Sequence, residues 1–228
     1  MDANLLRRYD EEAAPSRADW TSQPAQTNQQ EGTSMNKRLY FLLAFLAGCA
    51  TAGLENIPLL WMPTIGMFSI GSAELAELQN ARLQIAPVTD KRENAALIGQ
   101  NREEQTPRQV TTPDDVSAFV TNRMKALMVA AGLNVVERGG TAILKTELRQ
   151  FFVDETDTYQ AEVILRVTLT DPDGNVLWSG LSSGASARRG RSYKADNYYE
   201  TLSDSLVGAV QQLIQNRGFR AALVEGHK

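Results

Sequence analysis

The chain has 228 residues, a formal net charge of −4, one cysteine and one histidine. Mild acidity leaves no basic footprint for nucleic acid, and a lone cysteine allows no internal disulfide. With the only histidine at His227, one residue from the end, neither a metal site nor a Ser–His or Cys–His pair is well provided for.

Residues 1–34 are polar and acid-rich, with Leu5, Leu6 and Trp20 isolated, a composition that does not fold alone. Either translation starts at Met35 or these residues form a leader removed with the segment that follows. Met35–Cys49 then runs in a telling order: Lys37 and Arg38, an apolar stretch from Leu39 to Leu46, small residues, and Cys49. That order marks an export signal. Its apolar run falls far short of the roughly 20 residues that span a bilayer core. Leu46-Ala47-Gly48-Cys49 looks like a bacterial lipobox, which implies cleavage before Cys49 and covalent lipid on its sulfur. More than one acyl chain makes such an anchor lasting. No aspartate follows Cys49, so by analogy with enterobacterial sorting the expected location is the outer membrane, with the domain facing the periplasm. From Cys49 onward the chain carries 18 basic and 21 acidic residues, net −3, on a length that can bury a core as one domain.

Residues 49–80 read as a tether with an unusual apolar part, Ile57–Ile70, in which Pro58 and Pro63 forbid a continuous helix. Its apolar groups rest on the domain, on the membrane surface or on another protein. Leu60, Trp61, Met62 and Phe68 are the candidates for a partner or self-association surface.

The folded domain is expected over residues 81–220, with 221–228 a tail. Leu83–Val88 predicts a short strand ended by Pro87. Glu93–Thr111 is polar, broken by Leu97-Ile98-Gly99. A helix follows, with Thr112 as cap, Pro113 in its first turn, Asp114 and Asp115 at the positive end of the dipole, and Gly132 as stop. Val116, Phe119, Val120, Met124 and Leu127 give it one buried face. Asn134–Glu137 predicts a short strand, and Ala142–Val153 a longer one with Leu144, Leu148 and Phe152 inward. Tyr159–Thr170 alternates in the same way. Asp171-Pro172-Asp173-Gly174 turns the chain into a partner strand, Asn175–Ala187, with Val176 and Trp178 on one face. A last helix from about Asp196 places Tyr199, Leu202, Leu206 and Val210 on one stripe, with Gly218 beyond its end. The order predicts an α+β two-layer sandwich: a mostly antiparallel sheet of about five strands with two helices on one face.

The lipobox, the run Ile85-Ala-Pro-Val-Thr-Asp90-Lys-Arg92-Glu-Asn-Ala-Ala-Leu97-Ile98-Gly99, the Pro-led helix ending Ala130-Ala131-Gly132, the hairpin and the last helix together resemble the YajG-like bacterial lipoproteins over roughly residues 80–220. The element order is also similar to the amino-terminal domain of TolB and to envelope-assembly lipoproteins. The resemblance implies an exported, non-enzymatic lipoprotein; as fold analogy it carries function weakly.

Three clusters bear on chemistry. Asp154, Glu155 and Asp157, with Asp171 and Asp173, read as solvated turn carboxylates without the spacing of a calcium hand. Asp90 and Arg92, two residues apart, suit a local ion pair better than a substrate clamp. Arg188, Arg189 and Arg191, with Lys194 and nearby tyrosines, are either a recognition surface for phosphate or carboxylate groups or a solvated connection that offsets acidic charge. The expectation is a non-catalytic binding protein, an accessory or structural subunit of a cell-envelope assembly. No cofactor is expected beyond the lipid on Cys49; the expected partners are the membrane and an envelope protein or a second copy. A role in lipid or glycan transport is the alternative, and a hydrolase using Asp90 or Asp154 the remote one.

Overall fold

A computed structural model describes residues 56–66, 70, 76 and 78–226. Cys49, Met67, Phe68 and His227 lie outside these residues. Eight strands and three helices are defined: β1 (Leu83–Ile85), β2 (Thr89–Asp90), β3 (Leu97–Asn101), β4 (Arg108–Thr111), α1 (Val116–Ala130), β5 (Val135–Val136), β6 (Ala142–Glu155), β7 (Tyr159–Thr170), β8 (Val176–Arg188), α2 (Ala195–Gln215) and α3 (Arg217–Glu225). No described helix is long and apolar enough to cross a membrane.

The eight strands form a single mixed sheet, which corrects the expected five-stranded, mostly antiparallel one. On one edge of β6, the strands β1, β2 and β3 lie end to end, all parallel to it, against 142–144, 147–148 and 153–155. On its other edge β7 runs antiparallel, and β8 pairs with β7 in turn. β5 extends the sheet beyond β1, and β4 beyond β3. β1 and β5 fall inside the expected strands Leu83–Val88 and Asn134–Glu137, whereas β2, β3 and β4, of two to five residues, are too short for an alternation to register in sequence. Parallel partners also need a long crossover, here supplied by α1.

The helices all pack on one face. β7 sends Val163, Leu165, Val167 and Leu169 to that side, each fully buried, as its alternation predicts. β6 does not keep one parity. A bulge between Leu148 and Gln150 shifts the register, so Phe151 and Val153 follow Leu144 and Leu148 into the core. Phe152, expected inward, turns to the open face. Two adjacent phenylalanines leave the parity ambiguous in sequence, and the bulge settles it for Phe151, which meets Phe119 of α1 edge-on at 6.2 Å.

α1 starts three residues later than its expected cap. Asp115, not Thr112, accepts from the Ala118 amide (3.0 Å), while the Thr112 hydroxyl accepts from the Asp114 amide. The Ser117 hydroxyl and the Ala118 amide both donate to Asp115 and hold its carboxyl below the usual range. Gly132 ends α1 at φ +92°, and the Leu133 amide returns to the Met128 carbonyl (3.0 Å). After α2 the chain does not trail off. The Asn216 side chain caps α3, whose Phe219 and Leu223 are buried, so residues 221–225 are helix and not tail. Phe219 packs edge-on against Trp178 of β8 at 5.5 Å.

α2 crosses β8 at Gly184, where a Cβ would lie 2.0 Å from the Ser205 carbonyl oxygen and 2.4 Å from the Ala209 nitrogen. Helix and strand touch backbone to backbone there, a contact only glycine allows. Gly208, facing it, has room: its Cβ would meet only the Gly184 Cα, at 3.4 Å. Gly184→Ala is therefore expected to lose about 2–3 kcal/mol of stability by overpacking. Gly208→Ala should be neutral or gain up to about 1 kcal/mol from helix propensity. Urea unfolding of the two variants measures this contrast.

Candidate functional site

The segment Asn56–Gly66 lies on its own domain as an extended strap. Pro58 and Pro63 deny it regular structure, so its amides need acceptors from elsewhere. Ile57 donates to the Thr111 carbonyl (2.8 Å) beside an Asn56–Thr111 bridge at the outer edge of β4. Leu59 N–H donates to Asp114 Oδ2 (2.6 Å), and Met62 N–H to Ser203 Oγ (3.0 Å). The Thr64 amide and hydroxyl both reach the Asp204 carboxylate, at 2.7 and 2.5 Å, with Ile65 N–H at 3.2 Å. Buried Ser203 and Asp204 on α2 thus exist to hold the strap.

Of the strap residues singled out in sequence, Trp61 and Met62 pack against the core. The Trp61 ring meets Phe119 at 6.3 Å, and the Arg123 guanidinium stands 5.4 Å from one ring and 5.3 Å from the other. Leu60 is 49% exposed and remains available to a partner. Phe68 lies outside the described residues.

The arginine cluster divides. Arg188 pairs with Glu200 of α2. The side chains of Arg189 and Arg191 are exposed, without an ion-pair or hydrogen-bond partner among the described residues. Their loop is fixed from below by Glu155, fully buried at the end of β6, which accepts from the Tyr193 amide (2.9 Å) and the Tyr198 hydroxyl (2.7 Å). Tyr193 sits at φ +56°, a strained conformation for a non-glycine residue that the bond from its own amide to Glu155 helps to hold. Tyr159 donates its hydroxyl to the Arg191 carbonyl at 2.7 Å. Glu155 therefore belongs to a loop-holding network, apart from the acidic turn in which it was read.

Asp90, Asp154 and Asp171 are engaged as well. Arg92 spends all five of its guanidinium N–H groups: Nε and Nη2 on Asp90, Nη2 also on the Ala95 carbonyl, and Nη1 on the carbonyls of Leu97 and Phe151. It staples the 91–96 loop to β3 and the β6 bulge. Asp154 is paired with Arg102. Asp171 accepts from Asn175 inside the hairpin turn, which holds its carboxyl below the usual range. Among the described residues no group of three His, Cys, Asp or Glu could hold a metal.

Not among the candidate sites read from the sequence was the sheet face opposite the helices, expected to be bare. Three depressions of about 530, 300 and 510 Å³ take their side-chain walls mainly from it. Gln150 and Phe152 line the first two in common, joined by Asp154, Gln160 and Glu162 in the first and by Arg92 and Leu97 in the second. The third lies between Lys145, Glu147 and Arg166. Only the Phe152 parity, hidden by the bulge, would have pointed there.

The fold is an α+β domain with its helices on one sheet face and a strap along the edge of β4. Residues 69–223 match the family described as uncharacterized lipoprotein, and the chain belongs to that YajG-like family. No curated protein matches it in sequence. Among solved structures, a Xanthomonas campestris protein of the DUF330 family shares the fold at 12% identity and a TM-score of 0.51, over 70% of this chain and 94% of its own. More distant are PelC from Paraburkholderia phytofirmans, solved as a dodecamer (11% identity, TM-score 0.38, 66% of this chain and 92% of that one), and a candidate lipoprotein of Caulobacter crescentus (6%, 0.41, 68% and 95%).

Burial pushes the Tyr159 phenol up to about 12, and burial with the Glu155 hydrogen bond raises Tyr198 as well. A phenol raised in the folded state favours the protonated, folded protein; that stability is whole below the unfolded value of about 10 and lost as pH rises through about 12. Tyr159→Phe removes the bond to the Arg191 carbonyl and the one accepted from the Lys194 amide, and is expected to cost about 1–2 kcal/mol at pH 7. It should also shallow the fall in stability between pH 10 and 12, as read from urea midpoints.

Proposed function

We propose that this lipoprotein is a non-catalytic binding module of the bacterial outer membrane, an accessory subunit of an envelope assembly, and that its open sheet face is the surface it presents. The observation that carries this reading is that face: side chains of both charges and the Phe152 ring stand on it, in outward-opening depressions, with no helix over them. The opposite interface, between sheet and helices, is filled by side chains such as Leu144, Leu165, Met124 and Leu206, each with no exposed surface. A hydrolase is disfavoured because Asp90 and Asp154 are held by Arg92 and Arg102. Six residues separate Cys49 from Asn56, where the strap begins. Seven Cα–Cα steps reach at most about 25 Å, so the lipid would keep the domain close to the bilayer.

Cys49→Ser is expected to move the protein from the membrane to the soluble periplasmic fraction with its urea midpoint unchanged. Retention in the membrane would sink the tether. A photo-crosslinking residue at position 152 should give discrete adducts in cells, whereas the same residue at Val129, exposed on α1, should not. Equal labelling from both positions would refute the open face as the binding surface.

A further inference from the structure

The two outer edges of the sheet are finished in opposite ways. On one side the edge belongs to β4 and β5, four and two residues long, and the strap lies against β4 through the Asn56–Thr111 bridge. On the other side β8 runs 13 residues, about 40 Å, and among the described residues it pairs with β7 alone. Natural sheets blunt such an edge with lysine, proline, a bulge or a cover. From Val176 to Ala187 β8 has no charged residue and no proline, and beyond the irregularity at its first pair its register with β7 is unbroken. One edge group is covered: the Ser183 amide donates to Gln212 Oε1 of α2 at 2.5 Å. Since that amide points away from β7, the amides of Leu181 and Ala185, two residues to either side, share the free edge.

The side chains agree with the backbone. Leu181 is 60% and Val176 64% exposed, the most exposed large apolar side chains on the described strands. Between Leu181 and Arg188 every residue is Gly, Ala or Ser, so another strand could approach with no long side chain in the way.

We infer that β8 is a self-association edge: two copies of the chain pair β8 antiparallel to β8 about a two-fold axis, joining their sheets into one of sixteen strands. An uncharged strand is compatible with its own copy, because the pairing sets no like charges opposite each other. The alternative of β8 pairing with the far edge of another copy fails on length, since β4 and β5 offer only short strands and the strap occupies part of β4. In the paired state Leu181 would be covered by its counterpart near the axis. The open faces of the two sheets would become continuous across the junction.

The test is sedimentation equilibrium of the full mature chain carrying Cys49→Ser, from about 1 to 100 μM, beside the same chain with Leu181→Lys and Ala185→Lys. Both positions are exposed, so the lysines should leave the urea midpoint of the monomer intact. The parent is expected to sediment as a dimer, and the double-lysine chain as a monomer at least tenfold more weakly associating. Hydrogen exchange supplies an independent reading: the Leu181 and Ala185 amides should be protected in the parent, and positions 181 and 185 should exchange fast in the variant. A parent chain that stays monomeric throughout, or a dimer that survives both lysines, overturns the inference. The proposed envelope role survives either result, because membrane release and crosslinking at position 152 do not depend on the β8 edge.

Discussion

β6 is paired along nearly its whole length on one side and at three separate places on the other, and the remaining architecture follows from how those two edges are filled. On one edge a single antiparallel neighbour, β7, follows it residue by residue except at the bulge. On the other, one extended run of chain touches down three times, as β1, β2 and β3, and leaves the ladder between contacts. Each departure needs a reason, since buried backbone groups must find partners. Between β1 and β2, the Val88 amide is met by the Thr121 hydroxyl of α1 at 2.9 Å. Between β2 and β3, Arg92 gathers the loose carbonyls of Ala95, Leu97 and Phe151 while Asp90 balances its charge. Breaking such a buried pair by removing one partner typically costs about 3–5 kcal/mol. The Asp-x-Arg step is therefore a device for interrupting a parallel strand, beside the bulge that interrupts β6.

The bulge has a second effect, because it decides which phenylalanine is structural. With Phe151 inward, the aromatic chain Trp61–Phe119–Phe151 runs from the strap through α1 to the sheet, its two contacts edge-to-face. With Phe152 outward, the other face gains a large ring that lines two of the depressions. A shift of one residue thus couples core packing to the character of the open surface.

The long elements were legible in sequence because period decides them: β7 by strict alternation, the Asp171–Gly174 turn by its residues, α1 and α2 by their stripes. Three things were not. β2, β3 and β4 carry too few residues for a period, whereas β1 and β5 fall inside the expected strands Leu83–Val88 and Asn134–Glu137. The Thr112 and Asp115 capping choices differ by three positions in a stretch where both residue types are good caps. The strap was visible as apolar, yet its resting place was not, since what binds it is polar: Asp114, Ser203 and Asp204 receive its amides, and those residues read simply as parts of helix and cap. Glu155 was hidden for the same reason, a carboxylate drawn inward by two donors that only the fold brings to it.

The covered and the bare edge also differ in what could serve each. β4 ends at Thr111, which bridges Asn56 at the start of the strap, so the chain's own strap can lie along it with no added length. β8 lies at the far side of the sheet, beyond β6 and β7, and among the described residues its edge hydrogen-bonds to α2 at Gln212. Gly184 draws α2 onto β8 backbone to backbone, and that close seating keeps the helix over the face of the strand, leaving most of the rim free. The glycine that lets the helix dock is thus also the reason the edge stands open.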